Sequence, residues 1–201
     1  MRGEVSTTVN TTATSGVTIA KPAGTAAGDV LVACLALTGG TVSGTGVPAG
    51  WSPIASVTSI ANPHVFGYYK VATASEPANY QWTLGSAVTN GAGISRYKGA
   101  SGPDGPASTA AGAATLAPTV PGVTTTTPGA MLVGCMGINS SSTTNTIDSP
   151  TGMAQAWDIG GRRHELADGP QATAGPSGDK AWTLSAAREW AGWLVALRPA
   201  G

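Results

Sequence analysis

Charge is what this chain has least of. Only 10% of its residues are Asp, Glu, Lys or Arg, against roughly 25% in an ordinary globular protein, and ten bases balance ten acids. With no basic excess to neutralise phosphates, nucleic acid is excluded as a partner class. Weak mutual repulsion instead favours close contact with neighbouring protein. Long apolar runs are also missing: the longest, Val30 to Leu37, is far short of the ~20 residues that span a bilayer, so no membrane partner is expected. The first residues, Met1-Arg2-Gly3-Glu4-Val5, carry no apolar core of a secretory signal. The expectation is a chain made in the cytoplasm or already trimmed.

Two cysteines are too few for a disulfide framework. Cys34 and Cys135 each lie inside an apolar strand pattern, and the reading taken is two buried free thiols, a single bridge being the alternative. Helical periodicity is lacking, and 29 glycines with 14 prolines interrupt the chain repeatedly. Signatures of catalysis are lacking too: there is no nucleophile elbow, no zinc-binding histidine pair and no phosphate-cradling glycine loop. No catalytic residue, cofactor or metal is expected.

What the chain does have is strands, and it has them twice. Gly28-Asp29-Val30-Leu31-Val32-Ala33-Cys34 and Gly129-Ala130-Met131-Leu132-Val133-Gly134-Cys135 are apolar runs opened by glycine, the form of a central strand buried on both faces. They align with each other, and the register continues. Pro48-Ala49-Gly50-Trp51 meets Pro150-Thr151-Gly152-Met153, Trp82-Thr83-Leu84 meets Trp182-Thr183-Leu184, and Ala92 to Tyr97 meets Gly192 to Leu197. Such an internal repeat predicts one all-β domain over residues 1–201. It would be a two-sheet sandwich with pseudo-two-fold symmetry, its half-repeats spanning about 13–99 and 115–199. The low-complexity stretch 100–114 reads as a surface crossing loop. Residues 1–12 read as an arm outside the repeat. There Val5, Thr7 and Val9 alternate with polar residues and favour a strand, which would join a sheet edge or pair with a neighbour.

Candidate chemistry is sparse. His64 and His164 read as one strand position inherited twice. The carboxylates Asp29, Glu76, Asp148, Asp158, Glu165, Asp168, Asp179 and Glu189 form no signature for glycoside chemistry, and Asp148, Asp158 and Asp168 lack the spacing of a calcium loop. The six tryptophans are the most suggestive feature. Trp82 and Trp182 are repeat-equivalent and read as core, as does Trp51. Trp157, Trp190 and Trp193 have no tryptophan counterpart and are the candidates for an exposed partner contact, a sugar ring included.

The combination of Gly28-Asp29-Val30-Leu31-Val32-Ala33, Pro48-Ala49-Gly50-Trp51, Tyr68-Tyr69-Lys70-Val71-Ala72-Thr73-Ala74-Ser75-Glu76-Pro77, Tyr80-Gln81-Trp82-Thr83 and Leu194-Val195-Ala196-Leu197-Arg198-Pro199 resembles a family of jelly-roll-like β-sandwich proteins. That family occurs in virion structural proteins of tailed phages, as capsid decoration or minor tail proteins, and in secreted actinobacterial proteins. The resemblance covers nearly the whole chain and specifies fold better than function. It implies a non-enzymatic virion component, foremost a capsid decoration protein. Its partners would be the major capsid protein or other virion subunits, with homo-oligomeric contacts, in a virion or else extracellular setting. The alternative it leaves is a glycan- or host-surface-binding module.

Overall fold

The computed structural model describes residues 1–160 and 163–201, and among them every strand pairing is antiparallel and no helix occurs. Strands β1 (Arg2–Ala20), β2 (Val30–Leu37), β3 (Ser52–Thr58), β4 (His64–Val71) and β5 (Asn79–Tyr97) form a sheet in the order β1-β5-β2-β4-β3. The chain continues through β6 (Ala100–Pro103), β7 (Ser108–Thr115), β8 (Thr119–Val120) and β9 (Thr124–Thr125) into β10 (Ala130–Ile138) and β11 (Ile147–Asp148). Then come β12 (Ala154–Ile159), β13 (His164–Gln171), β14 (Gly175–Pro176), β15 (Lys180–Ala181), β16 (Thr183–Leu184) and β17 (Arg188–Pro199). The second large sheet runs β12-β13-β10-β17, and β6 and β7 both pair with β17.

Side-chain alternation along β2 explains its unbroken apolar character. Val30, Val32, Cys34 and Ala36 point into a layer shared with Val133 and Cys135 of β10 and Trp193, Val195 and Leu197 of β17, so the two sheets face each other across it. Leu31, Ala33, Leu35 and Leu37 point the other way, beneath Val17, Ile19, Trp51 and Trp82. Strand β10 does the same, sending Leu132, Met136 and Ile138 beneath Val120, Ile147, Trp182 and Leu184. There are thus three apolar layers, one between the sheets and one under the covering segments on each outer face. Glycine admits the rings: a Cβ on Gly67 would lie 2.8 Å from the Trp193 ring, and one on Gly134 would lie 2.9 Å from Trp182.

The two large sheets repeat one another's pairing. Cys34 lies opposite Gly93 and Cys135 opposite Trp193. Thr18 pairs with Gln81 and Thr119 with Ala181, while Val42 bridges Leu84 and Ile147 pairs with Leu184. Gly50 and Gly152 both turn at φ 81°, closed by bonds from Trp51 N to Pro48 O and from Met153 N to Pro150 O.

Three expectations need correction. Residues 100–114 are not a crossing loop: they contain β6 and most of β7, with Ala111 opposite Ala191 and Ala110 opposite Gly192. The bulk that alanine and glycine lack comes from across the ladder, where the Trp190 ring lies 3.0 Å from the position of a Cβ on Gly112. Residues 1–12 are not a free arm: from Arg2 they belong to β1, which pairs with β5 as β7 pairs with β17. Of the two fates open to the arm, this chain's own sheet edge takes it. Finally, Cys34 and Cys135 are not free thiols. They form a disulfide with Cα atoms 6.4 Å apart, because the central strands of the two sheets bring both side chains into the shared layer.

Candidate functional site

The four outer edges of the two sheets differ in kind. Natural sheets blunt their edges with proline, bulges or charge to prevent pairing with other chains. Strand β3 carries Pro53 and a register shift before Ala55, and β12 carries a shift between Gln155 and Trp157. Strand β7 has no proline, and neither it nor β1 from Val5 onward carries a charged side chain, although the β1 ladder shifts register between Arg2 and Val5, Asn10 and Thr14, and Thr14 and Gly16, and the β7 ladder between Gly112 and Thr115. Val5 is half-buried against the middle layer, whereas Thr7 and Val9 are exposed on the same alternation. The beginning of β1 is anchored across the sandwich, where Arg2 Nη1 donates to Ala154 O at 3.0 Å and to Asp168 Oδ2 at 3.2 Å.

The tryptophans proposed as exposed contacts are not exposed. Trp157, Trp190 and Trp193 have 6%, 7% and 0% of their surface accessible. Trp193 and Trp157 lie against Gly67 and Gly93 in the middle layer, and Trp190 lies against Gly112. None offers a ring face to a sugar. The sequence reading missed this because the partners are glycines, which leave no apolar mark opposite a ring.

The histidines are not equivalent. His64 pairs with Leu37, but His164 pairs with Gly137, one position short of Ile138, the residue that corresponds to Leu37. A one-residue offset turns a strand side chain to the opposite face. His64 Nδ1 lies 2.6 Å from Gly40 O, and His164 is fully buried beside the Trp157 ring. The charge cluster Arg162-Arg163-His164-Glu165, whose sequence reads as a solvated loop, lies only in part within the described residues, Arg162 being outside them.

The carboxylates are dispersed into structural roles, and no cluster able to hold a metal occurs among the described residues. Asp29 accepts from Ala26 N, Asp179 from Gly122 N and Glu189 from Ala61 N. Asp158 pairs with Arg163 at 2.9 Å, and Asp148 is exposed. Asp168 accepts from Tyr97 Oη at 2.9 Å as well as from Arg2; burial raises its pKa, although both partners favour the charged form. Burial also works to raise Glu76, but hydrogen bonds from Lys70, Thr73 and Tyr80 prevail and bring it down to about 2.

Glu165 is the exception in this set. It is fully buried on the outer face of the second sheet, accepting from Ser149 Oγ at 2.5 Å and from Trp182 Nε1 at 2.6 Å. Burial pushes its pKa up to about 8 against those two bonds, with the charges of Asp158 and Asp168 adding to the rise. Burial thus favours its protonated form, in a hydrogen-bonded position out of reach of any substrate. Comparison with protein-family models, curated proteins and solved structures returned no match.

Proposed function

We propose that this chain is a non-enzymatic structural subunit that works by binding neighbouring protein, foremost a phage capsid decoration protein on the major capsid protein or another virion subunit. The observation that carries the assembly part is the pair of edge strands that lack proline and, from Val5 onward in β1, lack charge: β1 and β7, whose ladders keep continuous register over residues 5–10 and 108–112. Each presents unpaired backbone donors and acceptors to which an extended segment of a partner, or a second copy, adds as a further strand. Contacts that exist only in the assembled state stabilise it by mass action. The virion part rests on the family resemblance of the core strands and turns.

Two further features support the reading. A disulfide across the sheets suits a protein that works in an oxidising exterior such as a virion or extracellular setting. The histidines and nearly all the buried carboxylates are engaged in holding the fold, which favours binding over catalysis. The matching strand orders, ladder registers and Pro-x-Gly turns support an internal duplication with pseudo-two-fold symmetry. Each sheet is drawn almost wholly from one half of the chain, which favours that duplication over jelly-roll winding, where successive strands alternate between sheets. The glycan-binding alternative required an exposed tryptophan and has no such ring to rest on.

The test is occupancy on purified particles, with the analytical sedimentation of the free protein beside it, for Val9→Lys and Ala111→Lys. Both side chains are exposed on the open edges, and a lysine there opposes strand addition. At least one variant should lose attachment or self-association, and wild-type binding should change little between about 0.05 and about 0.5 M salt, since few charges are available to be screened. Unchanged binding by both variants would overturn the edge mechanism.

A further inference from the structure

The second half of the chain differs from the first at one end of its outer face. In the β5 and β17 ladders, where Gly93 and Trp193 correspond, Arg188 stands at the position of Val88. Val88 packs against the apolar layer of the first sheet. Arg188 instead lines a recess of about 230 Å³ with Asn139, Ser140, Ser141 and Ser142. An apolar position has been exchanged for a cation in a pocket of hydroxyl and amide groups.

The guanidinium is held in place without being neutralised. The buried Asn145, oriented to satisfy its neighbours, accepts from Arg188 Nε at 3.0 Å and from Nη2 at 3.3 Å, and from Ser140 Oγ at 2.8 Å. Four ion pairs occur among the described residues, joining Arg2 to Asp168, Lys70 to Glu76, Arg96 to Asp29 and Arg163 to Asp158. None includes Arg188. The adjacent Glu189 is held by neutral donors, accepting from Ala61 N at 2.8 Å and from the side chains of Ser59 and of Asn139 on the recess rim. Arginine has five N–H donors in a planar fork, so most of them remain for a ligand. The turn is stiffened from within, with Ser142 N donating to Ser140 Oγ at 3.1 Å and Thr144 N to Ser142 Oγ at 3.1 Å.

We infer that this recess is an oxyanion-binding site, with Arg188 as its charged anchor, Asn145 as the residue that positions the guanidinium, and Ser141 as a neutral donor. The group it takes is a compact anion with paired oxygens, a carboxylate or a tetrahedral sulfate or phosphate, which the guanidinium fork meets through two parallel hydrogen bonds. The inference concerns the isolated protein and is independent of the edge-strand reading.

The experiment is an NMR titration of the isotope-labelled full chain with sodium sulfate in one arm and sodium acetate in the other, chloride holding the ionic strength constant. The amide resonances of residues 140–142 and the Nε resonance of Arg188 should shift along a saturating curve in at least one arm. The tighter arm identifies the preferred oxyanion geometry. Arg188→Gln should abolish the saturable shift, and Arg188→Lys, which keeps the charge and loses the fork, should weaken it several-fold. A linear shift in both arms, or equal affinity in wild type and Arg188→Lys, would overturn the proposal. The Lys variant decides the matter even if the Gln variant folds poorly. Because no particle or partner is present, failure here leaves edge-strand assembly standing.

Discussion

Replacing Glu165 by Gln should make the protein more stable above neutral pH and leave it nearly unchanged in acid. In the unfolded chain this carboxyl releases its proton near pH 4.5, whereas burial holds the proton in the folded protein up to about pH 8. Between those values the folded state binds more protons than the unfolded state, so stability falls as the pH rises. At about 1.4 kcal/mol per pH unit, the displacement from 4.5 to about 8 costs about 5 kcal/mol once the pH has passed 8. Glutamine keeps an oxygen to accept from Trp182 Nε1, places its NH2 where it can donate to Ser149 Oγ, and cannot ionise. Urea denaturation of wild type and Glu165→Gln from about pH 4 to about pH 9 should therefore show midpoints that coincide near pH 4 and separate steadily above pH 5. The gap should reach about 3–5 kcal/mol at the alkaline end. Comparing the two proteins cancels the contribution of Asp168, whose pKa is also raised by burial. Two curves that run parallel from pH 5 to pH 8 would refute the reasoning and place Glu165 in contact with water.

Other consequences can be checked by the same denaturation method. Trp82→Ala and Trp182→Ala each empty a fully buried site and should cost about 3–5 kcal/mol; an unchanged melt would put these rings on the surface. Gly93→Ala would set a methyl group 2.6 Å from the Trp157 ring, an overpacking that should cost about 1–3 kcal/mol and quench or shift the tryptophan fluorescence. The Cys34–Cys135 disulfide closes a loop of 101 residues, so reduction should lower stability by up to about 5 kcal/mol in the chain-entropy account. Identical denaturation midpoints with and without reductant would mean that the bridge does not form in solution.

Legibility followed the physics of each element. The central strands could be read because residues buried on both faces must be apolar without interruption, as Val30 to Leu37 are. The likeness of the two halves was visible wherever matching positions carry matching bulk, at Trp82 and Trp182 or at the paired Pro-x-Gly turns. It was invisible at β7, whose alanines and glycines resemble a linker until a tryptophan from the neighbouring strand lies over them. The contact tryptophans were misjudged for the same reason. The absence of a repeat partner marked Trp157, Trp190 and Trp193 as unusual, and only the opposing glycines show that they are core. Nothing in the sequence marked Arg188 and Asn145 as neighbours, since 43 positions separate them and a strand register brings them together.

Composition and strand pattern alone determined an all-β chain of low charge with two similar halves, because apolar periodicity and turn chemistry are local properties. Tertiary structure decided the rest. It set which strand ends are open, which rings are covered, that the two cysteines meet, that burial raises the pKa of Glu165, and that Arg188 enters no ion pair among the described residues. Those properties depend on which residue lies opposite which across a ladder or between sheets, and burial, pKa and pairing all follow from that juxtaposition.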